Sequence, residues 1–459
     1  MKLPNRIETP SFIQKIQWVG DPLAYMNNAA SRYPDIFTTQ VSNVSPFVFI
    51  NHPQGIQELF TADPKQFDTG RGNEILRPLV GDKSLFLMDG EKHRRERQLL
   101  MPPFHGERMR HYSQVICDVT NQATGRWKIG ESFSVRDVMQ EVTMGVILHA
   151  VFGLNEGERY YKIQKLLGEI LDLLGSPLRS SLLFFDFLQK DLGSWSPWGH
   201  WLRKRRELDE FLEAEIEERR QNLDSQRNDV LTLLLQARDE AGEGMNNEEL
   251  CDELMTLLAA GHETTATALS WALYWIHRHP EVEEKLRQEI DALGENPDPT
   301  AIFKLPYLSA VCSETLRIYP VAMLTFPRIV KSPFKLMGYE FDPGTVLFGC
   351  IYLVHHRPEL YPEPHLFKPE RFLERQFSPY EFLPFGGGNR RCLGLALAQF
   401  EMKLILATIV SRWQLGLANN QPVRPVRRGV TLAPAGGVEM VVKNERRRPL
   451  AELQLAGSL

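Results

Sequence analysis

Cysteine is scarce. Five residues of it in a chain of 459, an odd number, do not make the disulfide framework that staples small secreted domains, so a reducing cytoplasm is expected. Long apolar runs are missing. No window offers about 18 uninterrupted apolar residues, and the start MKLPNRIETPSFIQKIQWVGDP has neither a signal-peptide core nor a membrane anchor. Neither sign of charge prevails: 53 Lys+Arg against 58 Asp+Glu, a net −5, point to no nucleic acid partner. Repeats and low-complexity tracts are absent as well. With 43% hydrophobic and 24% charged residues the chain can bury a core, which excludes disorder, collagen and coiled coil as its main organisation. A cytoplasmic, soluble monomer is expected, with peripheral membrane contact left open.

Three regions read as β-rich, about 36–60, 334–352 and 424–443. In the first, IFTTQV and PFVFI flank a turn at Ser42-Asn43-Val44-Ser45. In the second, Gly338 and Asp342-Pro343-Gly344 are turns, and the third breaks at Pro434 to Gly437. The rest carries helical periodicity. The longest helix should begin near Asn246, where Asn-x-x-Glu (Asn246, Glu249) makes a capping-box start, and end before Pro280. Gly261 and a Thr-Thr pair interrupt its middle, a conflict with propensity that marks function. The fold class is mainly α with small β-sheets (α+β), one domain over 1–459.

The strongest chemical signal is Phe385-Gly386-Gly387-Gly388-Asn389-Arg390-Arg391-Cys392-Leu393-Gly394, followed at once by a helical run. Cys392 then sits at a helix N-terminus, which favours thiolate over thiol. The glycines let backbone pass close to a flat ligand and aim N–H groups at sulfur. A lone thiolate so placed suits an axial ligand to heme iron. No second Cys or His stands at a zinc spacing, so no zinc is expected. A phosphate loop would need Gly-x-Gly-x-x-Gly or Gly-x4-Gly-Lys-Ser/Thr, and neither is present. The remaining alternative is a Gly-rich turn with a buried cysteine.

This string resembles the heme loop of the cytochrome P-450 family, Phe-x-x-Gly-x-Arg-x-Cys-x-Gly, at every fixed position, Phe385, Gly388, Arg390, Cys392 and Gly394. The resemblance extends over nearly the whole chain. Ala260-Gly261-His262-Glu263-Thr264-Thr265 is similar to the family's oxygen-activation motif, Glu314-Thr315-Leu316-Arg317 to its Glu-x-x-Arg, and Pro369-Glu370-Arg371-Phe372 to the segment completing a Glu–Arg–Arg cluster. Glu-x-x-Arg recurs at Glu74/Arg77 and Glu91/Arg94, where a solvated helix pair is the better reading. Only its place in the series singles out Glu314.

The resemblance implies heme b, with Cys392 as the iron ligand, and no fused flavin or iron–sulfur cluster. It implies that Glu314, Arg317 and Arg371 form a structural cluster fixing the Cys loop. Dioxygen cleavage needs protons brought into an apolar pocket; Thr264 would face the heme and Glu263 a water channel, while Gly261 leaves room for dioxygen. A Thr bonded back to a carbonyl can also open the helix locally. His93, Arg97, Arg328 and Arg390 would meet the heme propionates, and Lys92, Arg94 and Arg391 a basic face for an acidic electron carrier.

Substrate-facing positions map onto Leu85, Phe86, Ala260, Gly261, Val321, Ala322, Leu324 and Gly436, all apolar or small. The segment 178–201, rich in Phe, Leu and Trp, would lid the access channel. The motifs look most like the fatty-acid-hydroxylase branch, cyanobacterial members included. The implied function is a monooxygenase inserting one oxygen atom of O2 into a long-chain fatty acid, hydrocarbon or terpenoid, with electrons from a separate ferredoxin or flavodoxin and its reductase. A peroxide-driven or isomerising heme-thiolate enzyme, and a non-enzymatic heme sensor or carrier, are the alternatives.

Overall fold

The computed structural model describes the chain except residues 1–2, 42–44, 105, 107, 172–188, 194, 223, 225, 295–296 and 447–459. Residues 42–44 of the expected turn and half of the expected lid 178–201 thus lie outside the described residues. Eight helices matter for the site: α1 (Ser11–Gly20), α2 (Gly90–Leu100), α3 (Arg108–Thr124), α4 (Val135–Phe152), α5 (Pro197–Gln221), α6 (Asn247–Arg278), α7 (Pro306–Ile318) and α8 (Leu395–Arg412).

Capping chemistry decides where α6 starts. Asn246 accepts the Glu249 N–H at 2.9 Å, and the Glu249 carboxylate accepts the Asn246 N–H at 2.9 Å, closing the expected capping box. The helix runs 32 residues, roughly 50 Å at 1.5 Å per residue. It crosses the molecule packed on α4, α7 and α8. Leu254, Leu258, Leu269, Trp271 and Leu273 are wholly buried in the main core, which they share with Leu404, Ile405 and Leu406 of α8. Burying each such side chain contributes about 1.5–3 kcal/mol before entropy is set against it. Trp271 also donates its indole N–H to Leu432 O at 2.8 Å, tying α6 to a strand near the C-terminus.

The principal sheet has five strands: β1 (Ile36–Thr39), β2 (Phe47–Ile50), β3 (Phe67–Asp68), β4 (Arg328–Val330) and β5 (Val346–Gly349), in the order β1-β2-β5-β4-β3. β2 and β5 run parallel and the other pairs antiparallel. A hairpin of β6 (Pro425–Arg428) and β7 (Thr431–Pro434) lies apart, and the chain then turns through Ala435–Gly437 into a strand at Glu439–Glu445. The β-rich reading of 36–60 needs correction at its end. Pro53–Thr61 is a helix, with Pro at its first turn, His52 accepting the Gln54 N–H at 3.2 Å, and Ile56, Leu59 and Phe60 on its buried face.

Candidate active site

Between Leu383 and α8 the chain folds back on itself. Gly386 N–H donates to Leu383 O at 2.9 Å and Cys392 N–H to Phe385 O at 3.0 Å. Gly386 and Gly388 take φ of +65° and +63°, the left-handed region that glycine enters without a Cβ penalty. Cys392 stands two residues ahead of Gly394, the N-cap of α8. It alone of the five cysteines is exposed. Yet it lies deep enough for burial to push its thiol pKa up, against the Gly394 N–H, Arg97 and Arg391, which pull it down. Both facts hold together if its accessible surface borders an internal space. A sulfur met by a donated N–H and two guanidinium charges is suited to the thiolate form.

Basic side chains lie close to the same loop. His93 on α2 is 4% exposed and Arg328 on β4 is 3% exposed. Among the described residues no side-chain hydrogen bond or ion pair holds His93, Arg97 or Arg328; Arg328 has only the rings of Phe60 and Phe67 at 5.7 and 5.4 Å. Burial, then Arg390, lowers the Arg328 pKa to about 10. Burial, then Arg390 and Arg97, lowers His93 to about 3, so this ring is neutral. A buried guanidinium without an ion-pair partner, as at Arg328, is costly. These side chains fit a dianionic ligand above Cys392, and heme with its two propionates meets that description. Arg390 differs from its expected role: its guanidinium holds Asp89 at 2.6 Å, Leu85 O at 3.0 Å and Met88 O, leaving Nε without a partner.

The middle of α6 forms the other wall. Burial is nearly unbroken along the helix but lapses at Leu257, Ala259, Ala260, Gly261, Glu263 and Thr264. Thr264 donates to Ala260 O at 2.6 Å, the back-bond expected for it. Two expectations change here. Gly261 does not open room for dioxygen: a Cβ on it would lie 2.8 Å from Cδ1 of Ile147, so the glycine serves the close crossing of α6 over α4. Glu263 does not stand toward a water channel as a free acid. Arg136 donates to both of its oxygens, and Gln140 Nε2 donates to Oε2 at 2.9 Å.

Apolar residues complete the lining. Leu85 is buried and Phe86 packs edge-on against Phe326, ring centroids 5.1 Å apart. Leu432 N–H of β7 donates to Val321 O at 2.8 Å and Ala322 bridges Thr431, so 321–322 and the β6–β7 hairpin form one wall. Leu324 is half-buried, and Gly436, at φ +72°, is exposed.

Glu314 lies beneath with Arg317 and Arg371. Its buried carboxylate accepts from Arg317 at 2.6 and 2.8 Å, from Arg371 at 3.1 Å and from the Lys368 N–H at 2.8 Å. By contrast Glu74/Arg77 and Glu91/Arg94 are exposed pairs. The cluster reaches the Cys loop through a residue to which the motif assigns nothing. Arg317 donates to His355 O at 2.8 Å, and His355 Nε2 accepts the Leu383 N–H at 3.0 Å.

Other residues have no local signature. Glu253 accepts the Leu85 N–H at 2.5 Å and Asp252 the Lys83 N–H at 2.8 Å, strapping the 83–86 loop to α6. Glu401 on α8 is buried against Thr265, and burial raises its pKa to about 8. Only the acidity of these positions inside apolar helical stretches could have drawn attention to them.

A thiol-bearing glycine loop ahead of α8, the buried and unpaired Arg328 beside it, and the back-bonded Thr264 in the long helix α6 together fit a heme-thiolate site. The sequence profile of the cytochrome P450 family matches residues 6–439. The chain is 35% identical over 447 residues to the protein designated cytochrome P450 135B1 of Mycobacterium tuberculosis, covering 97% of this chain and 92% of that one. It is 32% identical to cytochrome P450 138 of Mycobacterium bovis, covering 96% and 97%. The structure of the retinoic acid bound cyanobacterial CYP120A1 superposes with a TM-score of 0.83 at 24% identity, covering 97% of this chain and all of the other.

The chain therefore belongs to the cytochrome P450 family and has its fold. It is a P450 monooxygenase, with heme b ligated by a cysteine thiolate and O2 as co-substrate. No helix among the described residues is long and apolar enough to cross a membrane.

Proposed function

We propose that residues 1–459 act as one heme domain that inserts an oxygen atom from O2 into a long-chain fatty acid, hydrocarbon or terpenoid. Electrons come from a separate ferredoxin or flavodoxin and its reductase. The reading rests on one feature above all: Cys392, with the Gly394 N–H on its sulfur and Arg97 and Arg391 acting on it, sits in a glycine-turned loop against which the buried, unpaired Arg328 lies.

Cys392 is assigned as the iron ligand. Phe385, Gly388 and Gly394 shape its loop, and His93, Arg97 and Arg328 are assigned to the propionates. Arg390 contributes by holding Asp89 and the 85–89 backbone. The bound heme supplies the activation of O2. The chain's own work is to keep that space dry and to manage protons. Thr264 can exchange its bond to Ala260 O for one to a ligand or an ordered water. Glu263 is the acid next to it, held by Arg136 and Gln140 until a water or a substrate competes for it.

The wall formed by Leu85, Phe86, Ala260, Val321, Ala322 and Leu324 carries no charge, which suits an apolar substrate. Gly261 sets the helix spacing behind it, and Gly436 ends the wall at the surface.

Two measurements test the reading. The ferrous–CO complex should show the red-shifted Soret band of thiolate ligation, and Cys392→Ser should abolish it. A panel of fatty acids, alkanes, terpenes, steroids and retinoic acid, supplied with NAD(P)H, a ferredoxin and its reductase, should give hydroxylated product from the apolar long-chain members. Turnover with peroxide alone, and none with reductant and O2, would replace this function by the peroxide-driven one.

A further inference from the structure

Helix α1 is turned inside out. Its polar Gln14 is wholly buried: the side-chain amide donates to Ile7 O at 3.2 Å and Thr9 O at 2.6 Å, and its oxygen accepts from Tyr25 at 2.9 Å, Thr39 at 3.1 Å and the Gln40 N–H at 2.9 Å. Trp18 packs on Tyr25 and Phe49 at 5.9 and 5.5 Å. Five hydrogen bonds on one side chain and two ring contacts fix the rotation of the helix. The consequence is an outer face of Phe12, Ile16 and Val19, spaced i, i+4, i+7 and exposed by 62%, 67% and 59%.

The β6–β7 hairpin extends this face. Arg427 of β6 stands over the Trp18 ring at 5.9 Å, and Val426 and Val430 are exposed by 39% and 55%. Scattered apolar side chains are normal on a surface, but three on one helix face, with two more on a neighbouring hairpin, mark an interaction site. The hairpin adds cations only, Arg424, Arg427 and Arg428, while the α1 segment is balanced. Arg6, Lys15, Arg424 and Arg427 lie on these segments, with Glu8 and Asp21 the acids between residues 3 and 21.

We propose that the outer face of α1 and the β6–β7 turn form a docking surface for an anionic lipid bilayer. A helix whose apolar side chains face out between cations matches the interface of a bilayer, where apolar groups enter the acyl boundary and Arg and Lys meet phosphates. Resting on the monooxygenase reading, the placement also has a use: β7 bonds directly to Val321 and Ala322, so the docked face continues into the pocket wall.

The test uses the full-length holoprotein with sedimenting vesicles of phosphatidylcholine, alone or with phosphatidylglycerol. Binding should be seen with the anionic vesicles and fall with added salt. The triple variant Phe12→Ser, Ile16→Ser, Val19→Ser should bind about tenfold or more weakly. These positions are exposed, so its thermal unfolding should match that of the wild type. The pair Arg424→Gln and Arg427→Gln should weaken binding to anionic vesicles alone. No wild-type binding, or undiminished binding by the triple variant, overturns the proposal. So does a patch that proves to drive self-association, seen as a concentration-dependent dimer in sedimentation velocity lost in the triple variant, without lipid binding. None of these readouts depends on turnover, so the monooxygenase reading stands or falls separately.

Discussion

Arg136, in the first turn of α4, donates from Nη2 to both carboxylate oxygens of Glu263 on α6, at 2.6 and 2.8 Å. The acid beside Thr264 is thus half of an ion pair whose side chains are 9% and 15% exposed. If Glu263 serves proton delivery, Arg136 positions it and acts only through it. Arg136→Gln and Glu263→Gln should then each lower product formed per NAD(P)H consumed, by roughly 10- to 100-fold. The double variant should be no worse than the poorer single one. Additive losses would separate the two residues. Each single variant should also cost about 1–3 kcal/mol in stability, because a buried charge loses its partner.

Arg328 makes a prediction of opposite signs in two states. Its guanidinium is buried with no ion-pair partner among the described residues, the charge of Asp89 acting on it only from a distance, and this destabilises the apoprotein. Arg328→Met should therefore raise the Tm of apoprotein while increasing the rate at which heme is lost to an apomyoglobin acceptor. A variant that lowers apoprotein Tm and leaves heme retention unchanged would make Arg328 a structural residue.

Glu401 sets a pH dependence. Burial lifts its pKa from the ordinary 4.5 to about 8, against the Thr265 bond that lowers it. Between those values the folded chain holds a proton that the unfolded chain has released. Stability from this group is full below about pH 4.5, declines as pH rises, and is lost by about pH 8. His93 works the other way, its stabilisation being lost as pH falls from 6.5 to about 3. The difference between wild type and Glu401→Gln isolates the glutamate. In thermal melts the variant should gain on the wild type steadily from pH 5 to 8; a difference independent of pH would sink the assignment.

Glu314 should be intolerant of change. Removing the carboxylate strands Arg317 and Arg371 in the interior, and breaking such a buried cluster costs about 3–5 kcal/mol. Glu314→Ala should fail to accumulate as holoprotein. Arg371→Lys keeps the charge but loses the fork that also reaches Pro362 O and Leu366 O, and should give an intermediate loss of heme content. His355→Leu, which leaves the cluster but removes the acceptor for Leu383, should loosen the Cys loop, read as loss of the red-shifted thiolate band of the ferrous–CO complex.

Much of this was legible because it is local. The Asn246–Glu249 box, the left-handed glycines before Cys392 and the i,i+3 pair Glu314–Arg317 are each decided within a few residues by capping, backbone sterics and helix geometry. The helix at Pro53–Thr61 was equally local, and its Pro start was outweighed by the β-rich stretch before it.

What the chain order could not express is which helix crosses which. Arg136 and Glu263 are 127 positions apart, Asp89 and Arg390 are 301, and nothing near either member names its partner. Gly261 reads as room for a ligand until Ile147 is found beside it. The motifs, by their resemblance to a known family, pointed to the family and the cofactor, and capping and periodicity to the long helix, because those follow from neighbouring residues. The state of Glu263, the task of Arg390 and the outward face of α1 were decided by packing, since a buried charge or a helix rotation is set by whatever distant segment meets it.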